Sequence, residues 1–145
     1  MADRNPFSPP LAQVGDVHVE GGASEISSLP VSDSWKTKFR LIEKAGGPKQ
    51  GNLKALPFGE RFMIGFNVIA FLFGPVYYAV KGMWRRGLSL FAVGLVLIVI
   101  LSIILDALGM GRVGNSLGYG LAAIFAVRAN IDQYKKWVLR DNGWW

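Results

Sequence analysis

The chain has 145 residues, 51% of them hydrophobic, with a net charge of +6, one histidine and no cysteine; its mean hydropathy is +0.30. The missing cysteines exclude disulfides, thiol catalysis and cysteine-ligated metal. Charge is unevenly placed: residues 1–35 carry one cation and five acids, 36–61 seven and two, and 62–145 eight and three.

The basic surplus therefore flanks the apolar runs. There it acts first as a topology signal and as an attraction to acidic lipid headgroups, about 1 kcal/mol per cation. No nucleic-acid motif accompanies it, and nucleic acid is not an expected partner.

Residues 1–31 are rich in Pro, Gly and Ser with scattered acids and no periodicity, which predicts a disordered tail. Its start, MADRNPFSPP, lacks the charged opening and apolar core of a cleavable signal. The lone His18 has no second ligand near it and reads as a tail residue.

Residues 32–47 predict a basic amphipathic helix. Ser32 or Asp33 caps it and Gly46 supplies a left-handed stop. Trp35, Phe39 and Ile42 fall at i, i+4 and i+7, with Lys36, Lys38, Arg40 and Lys44 around them. Such a stripe suits a membrane interface, where Trp enters the headgroup boundary and Lys meets acidic lipid; it equally suits packing against the rest of the same chain. Both readings stay open at the level of sequence.

A Gly/Pro-containing linker, 48–57, leads into a membrane domain, 58–145. Phe62 to Val80 runs nineteen residues without a charge, long enough to span, but Gly74-Pro75 interrupts it. Proline lacks an N–H and crowds the preceding turn, so the expectation is a broken pair of helices, 58–73 and 75–86. In the second of these Lys81, Trp84, Arg85 and Arg86 join aromatic and basic character, the mark of an interface. Asn67 is a single polar side chain placed to help pair the freed backbone.

Gly87 to Leu105 is nineteen residues without charge, and 87–108 is predicted to cross a bilayer. The run 113–128, bounded by Arg112 and Arg128, is short for a span unless its arginines snorkel or the bilayer thins. Gly114, Gly118, Ala122 and Ala126 recur along it every four residues, a small-residue stripe that lets helix backbones approach closely. The expected mate is 87–108, giving a transmembrane hairpin; homodimerisation is the alternative use of the stripe. The end, 128–140, predicts a second basic amphipathic helix. Ile131, Tyr134 and Val138 form its apolar face, Lys135, Lys136 and Arg140 its basic face, and Trp137, Trp144 and Trp145 its anchors.

The positive-inside tendency selects a topology. If the first run crosses fully, segment 36–61 and loop 81–86 face opposite sides. If it dips and returns, those two and the tail 128–140 share the cytoplasmic side, and Arg112 alone lies outside. The predicted fold class is thus an all-α membrane protein, a transmembrane hairpin beside a Gly-Pro-broken re-entrant or interfacial helix pair, with both termini cytoplasmic.

The stretch FNVIAFLFGPVYYAVKGMWRRGL, followed after the apolar runs by ANIDQYKKWV, resembles the domain of unknown function 2628 (DUF2628) family of small bacterial inner-membrane proteins. The similarity lies at Phe66, Asn67, Ala70, Phe71, Phe73, Gly74, Pro75, Lys81, Met83, Trp84, Asn130 and Tyr134. It covers roughly residues 58–138, with the 32–47 helix at its margin. Val76 departs from the family's usual bulky aromatic, and Arg85 and Arg86 add two cations. The resemblance implies a bacterial inner-membrane location; it does not supply an activity.

Chemistry has little to work with. GMGRVG, Gly109 to Gly114, spells a dinucleotide fingerprint but follows no strand, which that motif requires. Asp106 is a candidate to pair with Arg112 or to mark an ion path, though a carboxylate near the bilayer edge usually just meets water, and Asn67 and Asn130 are candidates for hydrogen bonds between helices. No acid pair or nucleophile constellation exists, so neither catalysis, cofactor nor metal is expected. The expected function is a membrane-tethered binding or regulatory subunit that engages acidic lipid and a protein partner through cytoplasmic basic helices. The alternatives are an immunity or antitoxin protein against a membrane-active toxin, and a homo-oligomeric pore or transporter subunit.

Overall fold

The structure, a computed structural model, describes residues 25–114 and 116–145. Residues 1–24, with His18 and most of the expected tail, lie outside the described residues. Residues 25–31 correct the rest of that expectation. They open with a helical turn at 25–28, and Ile26 and Leu29, three apart and so on one face, are buried in the same cluster as Phe39 and Ile42.

The first full helix, α1, is Asp33–Lys44. It stops where Gly46 takes a φ of 96°, a left-handed conformation that favours glycine. Phe39 and Ile42 are fully buried, so the apolar stripe packs against this chain itself. Burial of each contributes about 1.5–3 kcal/mol, and the second of the two readings of that helix is the one found. Two 3₁₀ turns, Gly47–Lys49 and Leu53–Ala55, carry the chain to α2, Phe58–Gly65.

The first apolar run breaks twice, not once. Phe66 and Asn67 are extended, and Asn67 Oδ1 accepts from the Ala70 amide at 3.0 Å to cap α3, Val68–Val80. Inside α3, Gly74 sits at φ 43°, ψ −117°, outside the helical region, just ahead of Pro75. Asn67 Nδ2 donates to the Tyr77 hydroxyl at 3.1 Å. Ten residues of straight helix would separate those positions by about 15 Å, so the chain folds back on itself at Gly74. The expected single helix 58–73 is therefore two. The expected helix 75–86 ends at Val80, because a turn with Gly82 at positive φ follows.

Trp84–Ala107 forms α4, which absorbs Trp84, Arg85 and Arg86 into its first turn. A turn at Gly109 and a single helical turn α5, Gly111–Gly114, lead to α6, Leu117–Trp137, antiparallel to α4. The segments 113–128 and 128–140, expected as separate helices, are largely one continuous helix that begins at Leu117. Among the described residues the fold is entirely helical.

Packing gathers at one end. A first core joins α1, the 3₁₀ turns, α2 and Tyr134 of α6. A second joins Tyr77 and Tyr78 of α3, Met83, Leu90 of α4, and Phe125 and Ala129 of α6. Where α4 approaches its neighbours it is Gly87 and Gly94 that allow it. A Cβ on Gly87 would lie 2.6 Å from Tyr78 Cβ, and one on Gly94 would run into Leu121. The stripe expected to do this does not: Gly114 and Gly118 face nothing within 4 Å of a Cβ position. Only Ala126 of that set is buried.

Beyond Gly94 the character of α4 reverses. From Leu95 to Ala107 no residue is buried, although nearly all are large and apolar. Trp84–Ala107 is long and apolar enough to cross a membrane by length and composition. The stretch Phe58–Val80 passes the same test, but its two breaks leave no straight helix of that length.

Candidate functional site

The packed end of the molecule has a polar interior. Asn67 and Asn130, near opposite ends of the stretch that carries the family resemblance, meet directly: Asn67 Nδ2 donates to Asn130 Oδ1 at 3.0 Å. Asn130 Nδ2 in turn donates to the Met63 and Ile64 carbonyls at 3.1 and 3.0 Å, which are the carbonyls that the end of α2 leaves unpaired. The Asn67 amide itself donates to the Ala126 carbonyl at 3.0 Å. Both asparagines thus serve the break at 66–67, and Asn67 does not pair backbone at the Gly74 break.

A second network lies beside it. Tyr78 Oη donates to Asp132 Oδ2 at 2.9 Å, and Arg128 Nη2 stands 3.6 Å from Asp132 Oδ1. Arg86 corrects its expected place among the interfacial cations. It is 1% exposed, donates from Nη1 to the Asp132 carbonyl at 3.1 Å, and pairs through Nη2 with Asp141 at 2.9 Å. Two arginines and two aspartates keep the network near neutral, which a charge buried this deeply requires. Asp141, on the surface side, has its pKa lowered by the Gly143 amide and by Arg86. The sequence reading missed Tyr78, Asp132 and Asp141 because residues 54 and 55 positions apart carry no local signal.

Around this interior lies a ring of aromatic and basic side chains. Lys38 Nζ is 4.9 Å and Lys81 Nζ 5.8 Å from the centre of the Trp35 ring. Lys136 donates to the Lys81 carbonyl and sits over Trp137. Arg85 covers Trp84, whose ring meets Trp144 edge-on at 5.9 Å. Asn142 reaches the Gly82 carbonyl at 3.1 Å. Of segment 36–61, loop 81–86 and tail 128–140, expected to share one side, Lys38, Lys81 and Lys136 meet at one end of the molecule.

Lys36 pairs with Asp33 at 3.7 Å, Arg40 is exposed, and Lys135 and Trp137 are half-buried. Asp106 and Arg112 lie at the opposite end, both exposed, and form no ion pair; the Asp106 carboxylate lies against Gly111. Trp35 and Lys81 stand between two cavities of about 530 and 370 Å³, and a third, about 390 Å³ and wholly apolar in lining residues, runs between α4 and α6 near Gly94 and Leu121. Such a site can hold anions and apolar chains. Among the described residues it gathers no three His, Cys, Asp or Glu side chains around a metal position.

Residues 22–138 match the model of the family described as "Protein of unknown function (DUF2628)". The match takes in α1 and the turn before it as well as the stretch from 58 onward. The chain is 32% identical over 128 residues to the "Uncharacterized protein YigF" of Salmonella typhimurium, covering 82% of this chain and 94% of that protein. It is 32% identical over 123 residues to the protein of the same name from Escherichia coli, covering 79% and 90%. No solved structure matches the chain.

Proposed function

The chain belongs to the DUF2628 family of proteins of unknown function, and we propose that it is a non-catalytic protein of the bacterial inner membrane whose basic end binds acidic lipid and a protein partner. In this reading the α4–α6 hairpin crosses the bilayer. The folded-back α3 enters and returns without crossing, and both termini lie in the cytoplasm. One observation carries it: the apolar side chains from Leu95 to Ile104 point outward along a helix whose near end is ringed by Trp and Lys. An exposed apolar surface this continuous marks a membrane or a partner, and the aromatic and basic ring belongs at a headgroup boundary.

The chain has no cysteine, so single cysteines report location cleanly. With Lys54→Cys, Arg85→Cys, Arg112→Cys and Gly143→Cys in intact cells, an impermeant thiol reagent should label only position 112. Labelling at position 85 from outside sinks the folded-back topology. Recovery of the chain in the soluble fraction sinks the membrane reading.

A second reading is a homo-oligomer. It is favoured by Gly114 and Gly118, which face open space within the chain and would suit a close helix contact with a second copy. Cross-linking in membranes that yields only monomer removes it.

A further inference from the structure

The 370 Å³ cavity under α1 makes the lipid part of that reading specific, and rests on it. Its volume falls within the roughly 300–1,000 Å³ of small-molecule sites. One wall is cationic. Lys38 and Lys81 both line it and both stack on Trp35, and neither has a carboxylate within ion-pair distance among the described residues, unlike Lys36 and Lys44. Tyr77, also in the lining, accepts from Asn67. Burial lowers the pKa of Lys38, so an anion beside it would offset a desolvation cost that the ammonium otherwise bears alone.

The facing wall is apolar. Phe62, Val68 and Ile69 are each more than half exposed, and the same surface continues to Leu72 and Phe73 down the folded-back helix. A free inorganic anion would use only the first wall. A ligand with a phosphate at one end and hydrocarbon at the other uses both.

We propose that this cavity holds one anionic glycerophospholipid, its phosphate between Lys38 and Lys81 and an acyl chain along Val68 and Ile69. The lipid then bridges α1 to α3, and the end of the molecule that carries α1 is fixed against the membrane by a bound molecule as well as by general attraction to acidic headgroups.

The test uses the full chain in detergent, titrated with phosphatidylglycerol or phosphatidylcholine and read by native mass spectrometry. The expected result is one retained phosphatidylglycerol per chain, in preference to phosphatidylcholine. Retention should weaken about thirtyfold in the Lys38→Gln/Lys81→Gln pair, two cations worth about 1 kcal/mol each. The charge-matched pair Lys49→Gln/Lys54→Gln, outside the cavity, should leave it unchanged. Ile69→Gln, exposed and so harmless to folding, should weaken it without any change of charge.

Equal losses in both lysine pairs, or equal retention of the two lipids, overturn the site. Full competition by millimolar inorganic phosphate, with Ile69→Gln silent, assigns the lysines to a free anion and overturns the lipid. A chain that labels as a membrane protein yet shows any of these outcomes loses this inference alone; a chain in the soluble fraction loses the underlying reading.

Discussion

Around α1 the apolar side chains point inward. Phe39, Ile42, Leu56 and Ile64 are at most 2% exposed, while Arg40 and Lys44 are exposed. In the far half of the α4–α6 hairpin the arrangement is inverted, with Leu95, Val96, Leu97, Ile100 and Ile103 outward. The difference follows from periodicity. Helix α1 has one apolar stripe, which one covering surface satisfies. Helix α4 beyond Arg86 is apolar all round, and α3 and α6 together cover only the side that carries Gly87, Leu90 and Gly94. The first end is stabilised by its own interior. The second leaves its apolar side chains exposed.

That contrast can be tested by substitution, and the largest effect should come from the inward-facing end. Phe39→Ala should cost about 3–5 kcal/mol, the usual range for a buried aromatic, whereas Ile100→Ala on the hairpin should cost little. Both are read by denaturant unfolding in detergent, and comparable losses would erase the distinction between the two ends.

Asn130→Ala should follow at about 3 kcal/mol. It leaves the Met63 and Ile64 carbonyls and Asn67 Nδ2 without their partner. Asn130→Asp keeps the acceptor but sets a buried carboxylate against the two carbonyls, and should cost at least as much.

Gly74→Ala should cost about 1–3 kcal/mol through backbone strain at its positive φ, since the space itself admits a methyl group at ordinary contact from Phe125. A silent Gly74→Ala would mean that the fold-back does not depend on this conformation.

The smallest effect is electrostatic and lies at the boundary between the two regions. Asp141 is held below the usual carboxylate range, so its contribution is present above that range and is lost as pH falls through its folded pKa. Acidification should therefore release the C-terminal residues, seen as a change in Trp144 fluorescence that Asp141→Asn abolishes. A pH-independent signal in the parent chain counts against the Arg86–Asp141 tether.

Much of the local architecture was legible in residues taken one segment at a time. The 32–47 pattern placed α1 to within a few residues, Gly46 marked its stop, and Gly74-Pro75 marked the fold-back. The missed break at 66–67 had a signal of its own, an asparagine of the type that caps helices, hidden because apolar residues surround it. The burial of Arg86 had none. Its partners, Asp132 and Asp141, lie near the end of α6 and after it, the first of them 46 positions on, and a cation after a tryptophan reads the same whether it faces lipid or an aspartate.

By itself, then, the sequence determined that the chain is helical, where Gly46 and Gly74-Pro75 interrupt it, and that one run is apolar on every side, because these depend on backbone geometry and on the spacing of neighbours. Only the tertiary structure decided which cations are free and which are buried in pairs, which small residues carry the close approach, and that two asparagines 63 positions apart meet. Those outcomes depend on which surfaces come together, and a pairing between distant segments leaves no mark in the order of the residues that make it.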